Sequence, residues 1–397
     1  MLALAFRLVS ALLAFLTNVA FPDYQREQFT VFGQTDLFWD TFARWDSGWY
    51  YQIARFGYHY TPGGRDTIAF MPVYPLLMRY VGRALGRAPS DIYLGGIAIS
   101  WVAFVLAMVG LYRLAALDLK PRRAGRAVML AAVFPFGYFF GVVYTEATFL
   151  AAVVWTFYFF RTRQWLSGGL CGAVATATRV NGILMGPALA WIVWREVWRP
   201  VSAATADGAD DNAGTASMAL SASSQPAKHR LLSVVGLAMV AAGIGAYSVF
   251  IYQLTGSPIE WVRTIERWGY YPGGSPWLTL FRLVQVLVVH PAGYLTTNHA
   301  AVYDTLNGLT GLLFVLSIPL VWYRLGAAYG LFMAVSLWLP LSSGQYEGLG
   351  RYCSVLFPFF LLLARVHSRV FFAGTVLVFA MFYTLCQGLF VNIHPLF

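Results

Sequence analysis

DIYLGGIAISWVAFVLAMVGLY (residues 91–112) runs for 22 residues with a single charge, Asp91, at its first position. An α-helix needs about 20 mainly apolar residues to cross the hydrocarbon of a bilayer, and this stretch supplies them without a break. It sets the fold class as an all-α polytopic membrane protein. Composition agrees, because the 397-residue chain is 59% hydrophobic and only 11% charged. A soluble domain carries roughly a quarter charged residues, and one globular core of this size could not bury so much apolar side chain.

Toward the C-terminus the stretch ends in a basic cluster, Arg113, Lys120, Arg122, Arg123 and Arg126. Toward the N-terminus lies a long polar region, 22–90, with Asp46 near its centre. Further spans are expected at about 3–21, 126–143, 145–160, 165–184, 186–198, 231–254, 302–323, 326–342, 352–366 and 370–390, about 11 in all within a range of 10–13. The apolar stretch 277–295 is broken by His290-Pro291 and reads either as another span or as a surface helix.

The formal charge of +10 does not form one stripe for nucleic acid. Its arginines and lysines sit between apolar segments, where cytoplasmic retention of Arg and Lys sets topology. Arg161 and Arg163, then Arg195, Arg199, Lys228 and Arg230, then Arg324, Arg365 and Arg369 all fall on one side when the N-terminus is cytoplasmic. Region 22–90 then forms the first extracytoplasmic loop and 255–300 the second. Residues 200–228, rich in Ala, Ser, Gly and Asp, read as a disordered cytoplasmic linker. Arg7 and the length of the first apolar stretch favour a retained span over a cleaved leader. Cys171, Cys353 and Cys386 sit in apolar segments without ligand spacing, as buried small hydrophobes do. His59, His290, His299 and His394 lack ligand spacing as well. The two halves have no matching hydropathy, which counts against common transporter folds.

Chemistry concentrates on the outward side. Residues 36–56 are expected to form a helix on the membrane surface. Trp45, Trp49, Tyr50 and Tyr51 would suit an interfacial aromatic belt. The alternative is that Asp46 acts as a general base at the water–lipid boundary, its basicity raised by partial burial. Glu146, Arg179, Asn181 and Arg351 fall on the same side. One reading makes Arg179–Glu146 a structural pair with Arg351 reaching back to water; the other gathers them with Asp46 into a site for an anionic, lipid-linked substrate. Asp36 and Asp40 are spaced to share an ion. Loop 255–280 reads as an amphipathic surface helix with internal ion pairs, or as an acceptor surface beside the site.

RWDSGWYYQIARFGY (44–58), FMPVYPLLMR (70–79), FPFGYFFGVVYTEATF (134–149), TRVNG (178–182) and LGRYCSVLFPFF (349–360) resemble the PIG-V family of GPI mannosyltransferase 2-like enzymes, in that family's order. The resemblance implies a GT-C bundle with juxtamembrane helices in the first outward loop. It further implies inverting transfer of mannose from polyprenyl-phosphate mannose to a glycolipid or glycan acceptor. The alternatives are another prenyl-phosphate sugar on the same fold, or a lipid or sugar transporter or flippase. In the implied site Asp46 is the base. Arg351, then Arg179, would hold the donor phosphate. Arg44, Trp45, Trp49, Tyr50, Tyr74, Glu146 and Asn181 would form the supporting or sugar-binding set. No cofactor or metal is implied beyond the donor lipid. The low lysine content, Lys120 and Lys228 alone, points to a prokaryotic plasma membrane.

Overall fold

The computed structural model describes residues 2–24, 36–86, 88–198, 227–270, 273–289 and 302–396. Among these, all regular structure is helical. Four helices are long and apolar enough to cross a membrane: the helix within Leu2–Ala20, Pro89–Ala115, Val302–Leu325 and Arg369–Val391. A pair bent by 45°, Ala227–Met239 and Ala242–Thr255, counts as a fifth if it is one span. Their outer faces present large apolar side chains at helical spacing, for example Leu4, Leu8, Leu12 and Leu16, and Leu309, Leu313, Leu316 and Leu320. Water would penalise such faces by roughly 25 cal/mol per Å², so lipid is their solvent. The chain is an integral membrane protein.

The expected count of about 11 spans is not confirmed by these helices, because several of the expected segments are broken. The segment at 126–143 ends its helix at Ala132, ahead of Pro135, and turns through a 3₁₀ stretch Gly137–Phe140. The one at 165–184 ends at Thr178 and continues as the 3₁₀ turn Val180–Met185. The one at 186–198 passes from Gly186–Val193 into a π turn, Trp194–Trp198. The one at 352–366 splits into Leu349–Ser354 and Pro358–Ala364. Proline removes an amide donor and disfavours helix in the residue before it. Non-helical backbone at membrane depth survives where protein covers it, and the first and last of these breaks, beside Pro135 and Pro358, lie among buried phenylalanines. Phe134 contacts Phe314, Phe360 and Phe379 edge-on, and Phe314 stacks on Phe359 at 4.1 Å.

At the centre stands Glu146–Arg161, buried along most of its length and packed on Pro89–Ala115, Trp165–Thr178 and Gly186–Val193. Apolarity on every face reflects its enclosure rather than lipid contact. From region 22–90 the structure describes a helix Ser47–Phe56 and a second, Val73–Leu85, which lies against Pro89–Ala115. Their approach is close: a Cβ on Gly95 would stand 2.7 Å from the Gly82 amide nitrogen. Gly95→Val is therefore expected to cost about 1–3 kcal/mol, as overpacking does; a lowered unfolding temperature in detergent checks it, and an unchanged one removes the contact from the argument. Most of the linker 200–228 and the end of loop 255–300 lie outside the described residues.

Candidate active site

The expected helix over 36–56 is two pieces, a turn at Leu37–Asp40 and the helix Ser47–Phe56. Distant partners make the break. Arg44 is 1% exposed, and its guanidinium bonds the Asp40 carboxylate at 2.7 Å, the Ala43 carbonyl at 3.0 Å and the Val391 carbonyl at 3.2 Å. The Ser47 hydroxyl accepts from the Arg44 N–H at 3.1 Å and donates to the Val143 carbonyl at 3.1 Å. In return the Val143 N–H donates to the Phe42 carbonyl at 2.9 Å. Between these ties Trp45 takes a left-handed backbone, φ 51°. That conformation is costly for a bulky residue. It places Asp46 at the start of the helix, yet the Asp46 carboxylate makes no capping bond. Its backbone N–H donates to the Tyr144 hydroxyl at 3.3 Å, and the carboxylate is left for another partner.

That partner is Arg351. Its Nη1 meets Asp46 Oδ2 at 2.8 Å, and its Nε lies 3.3 Å from Glu146 Oε1. The same Glu146 oxygen receives Nη1 of Arg179, which also donates to Thr145 Oγ1 at 3.1 Å. Asp46, Arg351, Glu146 and Arg179 thus form a chain of alternating charge drawn from four separate elements. Glu146 is fully buried, and its second oxygen has no hydrogen-bond partner among the described residues. The Arg351 side chain is 9% exposed and lies beside the rings of Tyr144 and Phe139, 5.5 and 5.8 Å from their centroids. Buried charges persist only when paired. The Arg179–Glu146 pair therefore exists, but Arg351 joins it instead of reaching back to water.

The chain of charges borders a cavity of about 550 Å³. Asp46, Arg179, Asn181 and Arg351 line it, with Tyr50, Phe70, Trp268 and Tyr270 among its aromatic walls. Trp49 stands behind the wall, stacked on Phe70 at 5.8 Å and edge-on to Trp268 at 5.0 Å. Tyr50 is buried and Tyr51 stacks on Tyr93 at 4.6 Å, so these rings pack within the protein instead of forming a belt. Arg44 does not line the cavity; it holds the turn before Asp46. Trp45 packs against the core. Tyr74 is likewise behind the site, its hydroxyl bonded to Ser100 Oγ at 2.8 Å and the Gly96 carbonyl at 3.0 Å. Glu146 lies beneath the arginines.

Loop 255–280 bears out the helix with internal ion pairs, and the same helix borders the cavity. Helix Glu260–Arg267 carries the ion pairs Glu260–Arg263 at 3.2 Å and Glu260–Arg267 at 2.9 Å. Burial works against ionised Glu260, but bonds from Arg267, Tyr60 and Arg263 win, holding its carboxyl below the usual range. The same helix gives Trp261 and Ile265 to the cavity wall. Sequence reading missed Trp268, Tyr270 and Glu347. Glu347 also lines the cavity; burial, with help from Asp46 and Asp304 and against Arg351, raises its carboxyl above the usual value. Its signal was its place four residues before Arg351. Asp40 is held by Arg44 in place of an ion shared with Asp36. Among the described residues no group of three or more His, Cys, Asp or Glu is placed to hold a metal ion. His59 faces Asp66 at 3.3 Å and His394 bonds Tyr303 at 2.8 Å, while His290 and His299 lie outside the described residues.

The model of a known family, Mannosyltransferase (PIG-V), matches residues 1–199. The chain belongs to the PIG-V mannosyltransferase family. The family match takes in Asp46, Glu146, Arg179 and Asn181; Trp268, Glu347 and Arg351 lie beyond it. One curated relative, GPI alpha-1,6-mannosyltransferase 2 of Cricetulus griseus, is 29% identical over 200 residues, 46% of this PIG-V chain and 39% of the relative. The chain thus spans about two fifths of that relative's length. Among solved structures, the Archaeoglobus fulgidus oligosaccharyltransferase in its apo form aligns with 100% of this chain and 56% of its own, at 13% identity and TM-score 0.45. Its complex with an inhibitory peptide and a dolichol-phosphate aligns with 100% and 56%, at 14% identity and TM-score 0.42.

Proposed function

We propose that this chain is an inverting glycosyltransferase that moves mannose from a polyprenyl-phosphate mannose to a hydroxyl of a glycolipid or glycan on the extracytoplasmic face of a prokaryotic plasma membrane. The GT-C architecture and the N-terminus-inside orientation belong to the same proposal. The observation that carries it is Arg351, which holds Asp46 at one edge of the cavity and Glu146 at its base. A donor phosphate entering the cavity competes with Asp46 for that guanidinium, because phosphate accepts charge-assisted hydrogen bonds at least as well. The exchange releases the Asp46 carboxylate beside the sugar. Asp46 then takes the proton of the acceptor hydroxyl while its oxygen bonds to the anomeric carbon from the face opposite the phosphate. The bond from that carbon to the phosphate oxygen breaks, and prenyl phosphate leaves with its added negative charge against Arg351 and Arg179.

Glu146 positions both arginines and is too deep to meet the sugar directly. Asn181 lies on the lining, where an amide both donates to and accepts from hydroxyls. Phe70 and Trp268 supply faces for the apolar side of a pyranose or the first prenyl units. The test is a panel of prenyl-phosphate sugars given to purified protein with a membrane-glycolipid extract. Mannosylated product from the mannose donor alone is expected. Product only from a glucose or pentose donor would replace the sugar. Movement of lipid across proteoliposomes without any covalent product would replace the enzyme with a flippase.

A further inference from the structure

The arginine-rich end of the bundle holds a second cavity, of about 360 Å³. The 16-residue helix Glu146–Arg161 begins at the first site and ends at the second, so the two lie at opposite ends of one helix. Four arginines line the second cavity: Arg161, Arg195, Arg324 and Arg365. Its two acids are already taken. Arg161 grips both oxygens of Asp118 at 2.8 and 2.9 Å and donates to the Tyr329 hydroxyl at 2.8 Å. Arg163, outside the lining, holds Glu196 at 2.8 Å. Among the described residues, Arg195, Arg324 and Arg365 have no carboxylate partner.

Retention of positive charge explains why these arginines share one end. It does not explain their convergence on one cavity, where like charges repel. Arg365 is held in place, donating to the Arg324 carbonyl at 2.6 Å. Gly326, at φ 107°, turns the chain into Ala327–Ser342 so that Ala327 and Ala328 also line the cavity. The start of that helix adds amide donors and the positive end of its dipole. Exposed Trp191, Trp194, Trp198, Trp322 and Tyr323 surround this level, as aromatic side chains do at the headgroup region.

We propose that this second cavity binds the phosphate of an anionic membrane lipid, its headgroup among Arg195, Arg324 and Arg365. The inference stands apart from the proposed transfer reaction. The test is native mass spectrometry of the full chain released from bilayers containing phosphatidylglycerol and phosphatidylcholine. Wild type is expected to retain the anionic lipid preferentially. Arg195→Gln/Arg324→Gln should lower that preference about tenfold or more, the size set by two guanidiniums at an anionic surface. Arg122→Gln/Arg123→Gln, which removes equal charge outside the cavity, should keep it. Equal loss in both variants, or no preference in wild type, overturns the proposal. Protection of wild type against heat by millimolar inorganic phosphate, with no lipid retained, overturns the lipid in favour of a soluble phosphate. Should the double variant fail to fold, exposed Arg195→Gln alone carries the comparison, and unchanged retention there counts against the site.

Discussion

Purified Asp46→Asn protein is expected to fold, to bind prenyl-phosphate mannose, and to transfer the sugar about 10²–10⁴-fold more slowly than wild type, the usual contribution of a positioned general base. Asparagine keeps the shape of the side chain but cannot take the acceptor's proton. Arg351 retains Glu146 at 3.3 Å, so the phosphate site should survive and the donor KM should move far less than kcat. Steady-state rates against donor concentration separate these terms. A variant that turns over near the wild-type rate would remove Asp46 as base. One whose loss sits in KM would make Asp46 a holder of Arg351 instead.

Glu146→Gln is expected to cost about 3–5 kcal/mol of stability, the range for breaking a buried ion pair on one side. Glu146 is wholly enclosed and serves two arginines. Its loss leaves Arg179 with Thr145 as its remaining hydrogen-bond partner among the contacts described. Thermal unfolding in detergent measures the drop, and Arg179→Met in the same chain should recover part of it, since the two positions are coupled. If Glu146→Gln unfolds like wild type but transfers poorly, Glu146 touches substrate, and its assignment as the support of both arginines fails.

The membrane character of the chain was legible in 91–112 because one uninterrupted apolar stretch carries it. The shorter spans were not, since a buried helix with broken ends has the same composition as one in lipid. Asp46, Glu146, Arg179 and Arg351 could be placed on one side by topology, yet their order in the charge chain depends on three-dimensional contact. Arg44 and Arg351 look alike as letters beside aromatic motifs. Only Val391, hundreds of residues away in the chain, makes Arg44 a fastener. The break at Trp45 was hidden for the same reason: beside its local ties, it is held by Val143 and Tyr144, about a hundred residues away. Trp268 and Tyr270 lay in a loop read either as an ion-paired surface helix or as an acceptor surface, and neither reading singled out these two rings.

The 16 residues of Glu146–Arg161 amount to about 24 Å at 1.5 Å per residue, less than the roughly 30 Å of bilayer hydrocarbon. Charged groups stand at both of its ends, and because protein encloses the helix, the Glu146 end can lie beneath the headgroups without exposing its charge to lipid. In the proposed reaction a lipid donor would then keep its tail in the leaflet and bring its phosphate sideways to Arg351. On that proposal the acceptor hydroxyl would be the partner that reaches downward, and the depth of the cavity would be a ruler for how long and slender an acceptor the protein can use.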